Sequence, residues 1–386
     1  MDVNSPTYLF FSAQPWDNQH SRTRAMAMEL SKRGVKTIYV ETIPSLANEL
    51  REKMSKLFAP LRQEGVDFVF ENSNLEIWTP PIVPTFFRGS YTPGIDRYRF
   101  QKWLERKLQF LSKPIIAVVT MPYWWAGYIN QCRDVFDILV FDVQDSPSVY
   151  SRNGRIEKRM MSLYEQLLTA TDGVLVHTGV FYADIINEGI KVILVRNGAE
   201  VISLVLDEEK ITAKATKPFV IGTVGRIGAN TDLELMVKLA KAFPEFIIEN
   251  VGTVETGKRM LCSMKNIRLY PAMSREKMIE KMCQWHAGIL PYKEEIPGSP
   301  LRVYDLLSVP LPIVSTHFED AEYFAKFIRV ANTHDEFINE VRKISESRRT
   351  IVRRDEVEKF LTENSWKKKA DALLTFSTQL LRNSIS

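Results

Sequence analysis

The chain has 386 residues, enough for two ordinary domains, with 45% apolar and 25% charged side chains to build and solvate both. Its 51 basic residues nearly balance its 47 acidic ones, for a net charge of +4, which speaks against a nucleic-acid binder with a clustered basic excess. Cys132, Cys262 and Cys283 lie far apart and in no Cys-x-x-Cys pair, so structural thiols in a reducing compartment are expected and a metal site is not.

In chain order, residues 8–13 read as a buried strand, too short to span a bilayer, and no basic stretch precedes it as in a secretory leader. A helix follows at 21–33, then strands at 37–41, 115–120, 138–142, 173–177 and 192–196, with helices at 155–171 and 180–188 between the later ones. Strands alternating with helices predict a parallel sheet covered on both faces. Residues 200–218 are polar and turn-rich and read as a linker. The alternation then restarts, with strands at 219–224, 245–251, 288–291 and 312–315 and helices at 232–242, 274–285 and 300–308. One amphipathic helix is expected over 354–381, with Leu361, Trp366, Ala370, Leu373 and Leu374 on one face. The domain boundaries drawn from this pattern are 1–205, 206–355 and a tail at 356–386 that packs back towards the first domain or caps the second.

Four stretches carry chemistry, each at a strand's carboxyl end, where open α/β sheets bind ligands. The turn after the first strand holds Trp16, Asp17, His20, Arg22 and Arg24. Asp145, in Asp142-Val-Gln-Asp145-Ser-Pro, lies just past the strand at 138–142. It is either a cleft carboxylate or the cap of an Asp-Ser-Pro turn. Gly222-Thr-Val-Gly225-Arg226-Ile-Gly228 joins a strand to a helix. Glycines there let backbone amides approach a phosphate, and Arg226 adds a charge-assisted hydrogen bond. Tyr292 and the run Ser299-Pro-Leu-Arg302-Val-Tyr-Asp305 form the fourth, with Arg302 and Asp305 on one helical face. One meets a diphosphate and the other ribose hydroxyls, or the two simply pair with each other.

The string from Ser299 to Thr316, Ser-Pro-Leu-Arg-Val-Tyr-Asp-Leu-Leu-Ser-Val-Pro-Leu-Pro-Ile-Val-Ser-Thr, resembles the donor-site signature of GT-B glycosyltransferases. The nearest likeness is to the teichuronic-acid-type enzymes and the xanthan-type membrane-associated glucuronosyltransferase. The resemblance implies an α/β GT-B fold: two Rossmann-like doubly wound domains facing a cleft, with a C-terminal helix crossing back. It implies a nucleotide-sugar donor, with UDP as the nucleotide, bound by Gly225, Arg226, Tyr292, Ser299, Arg302 and Asp305. Asp145 would be the catalytic base of an inverting transfer, and Asp17, His20 and Arg22 would contact the acceptor. That acceptor would be a saccharide or polyprenyl-diphosphate-linked saccharide in bacterial surface polysaccharide synthesis. No cofactor, metal or nucleic acid is expected.

Two departures from the family pattern stand out. Asn230-Thr231 occupy the stretch where the family has a second lysine, and Pro297 stands where retaining members carry an acid eight residues before the ribose acid. The alternatives are an NAD(P)-dependent oxidoreductase, with Glu249 as its ribose acid, a sugar-nucleotide epimerase on the same fold, and a binding protein without activity. The Gly222-x-x-Gly225-x-x-Gly228 spacing departs from the dinucleotide fingerprint.

Two stretches suit an anionic inner leaflet or ordinary packing. Between Arg88 and Lys113 seven basic residues (Arg88, Arg97, Arg99, Lys102, Arg106, Lys107, Lys113) and two acidic ones are interleaved with Tyr91, Tyr98, Phe100, Trp103 and Phe110. Residues 46–61 are a second amphipathic candidate. Together with the reduced cysteines they suggest a cytoplasmic protein, peripheral on the inner membrane.

Overall fold

The computed structural model describes residues 5–16, 21–41, 68–69, 74–80, 95–120, 129–144, 154–200, 218–293, 298–347 and 354–385. The chain divides into two units, Met1–Val195 with Lys369–Ser386, and Arg196–Lys368.

The first unit contains strands β1 (Thr7–Phe11), β2 (Thr37–Val40), β3 (Phe68–Val69), β4 (Leu75–Trp78), β5 (Ile115–Thr120), β6 (Ile138–Val143), β7 (Gly173–Val176) and β8 (Val192–Leu194). They form one sheet in the order β3-β4-β2-β1-β5-β6-β7-β8, parallel except where β3 meets β4. β1, β5 and β6 are buried along their whole length, as strands with both faces covered must be. The covering helices are α1 (Arg22–Lys32), α2 (Ile95–Leu108), α3 (Gly154–Ala170) and α4 (Gly179–Asn187). Ser21 caps α1 by accepting the Arg24 amide, and Thr178 caps α4 at Phe181. The strand order reverses between β1 and β5, the position at which doubly wound sheets open a crevice.

The second unit has β9 (Val220–Val224), β10 (Ile247–Val251), β11 (Ile267–Tyr270), β12 (Ala287–Leu290), β13 (Ile313–Thr316) and β14 (Arg329–Ala331) in the order β11-β10-β9-β12-β13-β14. All of these pairings are parallel, and the reversal falls between β9 and β12. Its helices are α5 (Leu233–Ala242), α6 (Lys258–Cys262), α7 (Arg275–Met282), α8 (Leu301–Leu307), α9 (His334–Ser347) and α10 (Arg354–Glu363). Two apolar clusters flank the sheet, one built around Trp285, Tyr304 and Phe318, the other around Leu239, Ile248 and Phe337.

The single helix expected over 354–381 is two, α10 and α11 (Trp366–Ile385). At the break the backbone pairs elsewhere: the Ala199 amide donates to Asn364 O and the Trp366 amide to Ala199 O. From Lys369 onward α11 belongs to the first unit, where Phe376 and Leu380 press on Gly173 so closely that a β-carbon there would lie 2.6 Å from the Phe376 ring. Among the described residues no helix is long and apolar enough to cross a membrane.

Tyr8 of β1 is buried, and its hydroxyl lies 2.5 Å from Ser377 Oγ on α11. Burial pushes its pKa up from 10.0 to about 12, against a smaller opposing effect of the Ser377 hydrogen bond. The neutral phenol is therefore favoured by folding. The stabilisation is complete below pH 10 and is lost as pH rises towards 12, by up to about 1.4 kcal/mol per pH unit. Tyr8→Phe is expected to unfold about 1 kcal/mol more easily than wild type at pH 8, for want of the hydrogen bond. In urea titrations at rising pH that gap should close between pH 10 and 12; a constant gap would remove Tyr8 from the alkaline transition.

Candidate functional site

At the switch point of the second unit the chain leaves β9 through Val224 and turns at Gly225, whose φ of 94° lies in the left-handed region that favours glycine. Gly252, at the end of the neighbouring β10, has φ 152°, and a β-carbon there would run into the Gly225 carbonyl. The two strand ends are drawn together by the Gly225 amide, which donates to Val251 O at 2.8 Å. Gly222, expected in the same turn, instead lies inside β9, where its bare α-carbon takes the face of Trp285.

Arg302 comes up beneath this turn from the first turn of α8. Its Nη2 donates to the Arg226 carbonyl, its Nε lies 2.6 Å from where a Gly225 β-carbon would stand, and its guanidinium is 5.9 Å from the Tyr292 ring. Desolvation pushes the Arg302 pKa down, with Arg226 adding to the effect, while Tyr292 and Asp305 oppose it. Burial likewise pushes Tyr292 up. The Tyr292 hydroxyl is buried without a hydrogen-bond partner among the described residues, and its amide is held by Thr316 Oγ1. The Arg226 side chain is exposed and reaches Glu255 at 3.3 Å, an ion pair worth little in water. Among the described residues no side chain caps the start of α8, whose N-cap is Pro300. Two guanidinium groups, a glycine turn and an uncapped helix start at one sheet edge are the elements of a phosphate cradle.

Arg302 and Asp305 do not pair with each other. Asp305 Oδ1 accepts instead from Arg275 Nη1 at 2.8 Å, and Arg275 Nε lies 3.0 Å from Glu200. Arg275 was not singled out from the sequence, although it follows the helix-capping Ser274 at the carboxyl side of β11, where ligand residues are sought. Ser299 is buried, with its hydroxyl donated to Asp320.

Glu249, the acid required for a dinucleotide, is consumed by structure. Its carboxylate is buried and accepts from Trp285 Nε1 (2.8 Å), Lys281 Nζ (2.9 Å) and Tyr270 OH (3.0 Å). That is the physical case against the oxidoreductase alternative.

In the first unit Asp17, His20 and Asp145, and the stretch 46–61, lie outside the described residues. Arg22, read as an acceptor contact, is buried, and its Nε reaches both oxygens of Asp142 at 3.0 and 3.2 Å. Gln144 donates to Asp142 as well, at 2.9 Å. Beside them Trp16 lies under the Arg24 guanidinium at 4.6 Å and edge-on to Tyr39 at 5.0 Å. His177, beyond β7, was not singled out from the sequence. Its Nδ1 must donate to the Val143 carbonyl at 3.2 Å, which puts the lone pair of the neutral ring on Nε2.

No protein-family profile matches the sequence, and neither does any curated protein. Solved structures do resemble it. A sucrose-phosphate synthase from Thermosynechococcus elongatus superposes with a TM-score of 0.75 at 11% identity, over 98% of this chain and 100% of that one. A UDP-forming α,α-trehalose-phosphate synthase from Burkholderia vietnamiensis gives 0.68 at 12%, over 99% of both chains. HepE from Anabaena, in complex with UDP-glucose, gives 0.66 at 10%, over 97% of this chain and 99% of that one. At such identities the likeness establishes the fold, the α/β fold of GT-B glycosyltransferases.

Gly225→Ala would set a side chain into a left-handed backbone and against Arg302, at a cost of about 1–3 kcal/mol. Urea unfolding should show that loss; an unchanged midpoint would mean that the turn can relax without Arg302.

Proposed function

We propose that the chain is a glycosyltransferase that takes a sugar from a UDP-sugar held by the second unit and passes it to a saccharide or polyprenyl-diphosphate-linked saccharide in bacterial surface polysaccharide synthesis. The observation that carries this is Arg302 drawn beneath the Gly225–Arg226 turn beside Tyr292. The neighbours support it, since one is UDP-forming and another was solved with UDP-glucose.

In the proposed reaction an acceptor hydroxyl oxygen attacks the anomeric carbon. The bond from that carbon to the β-phosphate oxygen breaks, and UDP leaves with the electron pair. Arg302 and Arg226 offset its charge, supplying with guanidinium groups what a metal ion would otherwise supply. Asp305, steadied by Arg275, holds the ribose hydroxyls. Asp145, two residues past β6, receives the acceptor's proton and makes the transfer inverting. Arg22 then supports the acceptor side through Asp142 rather than by direct contact.

Calorimetry with UDP tests the donor half and sugar transfer tests the base. Arg302→Ala should weaken UDP by about tenfold to a hundredfold, as loss of a charge-assisted contact does. Asp145→Asn should keep wild-type UDP affinity and lose nearly all transfer from UDP-sugars. Wild-type turnover in Asp145→Asn would dismiss that residue, and saturable binding of NADH rather than UDP would dismiss the whole assignment.

A peripheral membrane contact belongs to the same proposal. On α2 and just beyond it, Phe100 and Trp103 are in the core, but Tyr98 is 63% exposed and Phe110 86% exposed, beside exposed Arg99, Arg106 and Lys113. Tyr98→Ser with Phe110→Ser should reduce flotation with phosphatidylglycerol vesicles severalfold while phosphatidylcholine vesicles recruit neither form. Equal flotation of variant and wild type would sink the idea.

A further inference from the structure

The turn that leads into α8 is held by side chains from two other stretches of the second unit. Asp320 is buried, and its Oδ2 accepts from Ser299 Oγ at 2.5 Å and from Arg196 Nε at 3.2 Å. Asn197 Nδ2 donates to the Ser299 carbonyl at 2.7 Å. Arg196 is the first residue of the second unit, so these contacts engage the segment by which the chain enters it. Three residues on, Ala199 pairs with Asn364 and Trp366, on the segment by which the chain leaves. A buried carboxylate stripped of its cation is costly. Neither the turn nor the entering segment can therefore shift without disturbing the charge they share.

We propose that Asp320 is a positioning residue that locks the turn at Ser299 to the entering segment at Arg196–Asn197, so that the two order and loosen together. Part of the consequence rests on the donor proposal above: a ligand that settles on the turn also settles the entering segment. The lock itself needs no ligand.

Hydrogen exchange on the full-length protein tests it. In free Asp320→Ala, amides at 196–199 and 298–302 should both exchange about tenfold faster or more, while those of α9 stay as in wild type. Asp320→Asn keeps an acceptor for Ser299 but loses the charge that holds Arg196, and should lie between. Acceleration of one segment alone would overturn the proposal. Should Asp320→Ala fail to fold, Asn197→Ala carries the test from the other side. It removes a donor to the turn, and unaltered exchange at 298–302 would overturn the lock.

UDP added to wild type should protect both segments, and Asp320→Ala, assayed well below its melting midpoint, should bind UDP about tenfold more weakly, with Asp320→Asn between it and wild type. Full UDP affinity in the folded variant would overturn the positioning role, because a merely structural residue would lower the melting midpoint without weakening UDP. Absence of UDP binding to wild type would count against the donor proposal, while the ligand-free exchange judges the lock by itself.

Discussion

The second unit depends on a backbone approach that side chains would forbid. Gly225 and Gly252 stand where two parallel strands end, and a β-carbon on Gly252 would collide with the Gly225 carbonyl. Because those strand ends close on each other, the Arg226 carbonyl turns towards Arg302, and Arg302 is drawn up from α8 beneath it. The position of the cation is thus a consequence of two missing side chains. Everything else at this edge, the Tyr292 ring, the Thr316 hydroxyl and the Glu255 pair, is arranged around a guanidinium already set in place.

The face that carries Trp285 and α8 shows how the same sheet is kept rigid. Gly222 admits the Trp285 ring, and Trp285 in turn spends its indole N–H on buried Glu249. Lys281 and Tyr270 complete that carboxylate. A buried acid with three donors is stable only as a complete set. Glu249 therefore ties β10, β11 and α7 into one body, on which the strand ends can be aimed.

Much of this was legible in the sequence because its signals are local. Strands such as Ile115–Thr120 and Ile138–Val143 open on continuous apolar runs, and Pro300 stands as the N-cap of α8, one residue before the helical backbone begins at Leu301. Gly225, Arg226, Tyr292 and Arg302 were singled out from turn chemistry and resemblance, and the fold brings them to one edge. What was not legible depends on partners distant in sequence. The pairing of Asp305 with Arg275, thirty residues away, cannot be read from a helical face that offers Arg302 three residues away. The break between α10 and α11 follows from Ala199, which no window around residue 364 contains. Edge strands β11 and β14 were missed because their alternation is short and half polar. The helix α9 was missed although Phe337, Val341 and Ile344 carry the helical period plainly.

The arginines at these strand ends fall into two physical kinds, and the difference decides what each can do. Arg22 is buried against Asp142, and Arg302 is fixed by backbone contact and an aromatic face. Such groups cannot leave their partners without leaving an uncompensated charge or losing packing, so they stay fixed in place. Arg226 is the opposite, because it and Glu255 are largely in water and their attraction there is small. In the proposed function, an incoming phosphate of greater charge, attracted by Arg302, would have little to displace in taking Arg226 from Glu255. Under that proposal, a fixed cation that defines the place and an exchangeable one that closes over the ligand would let this edge recognise an anion and still release it. A site lined only with buried pairs could not offer that combination.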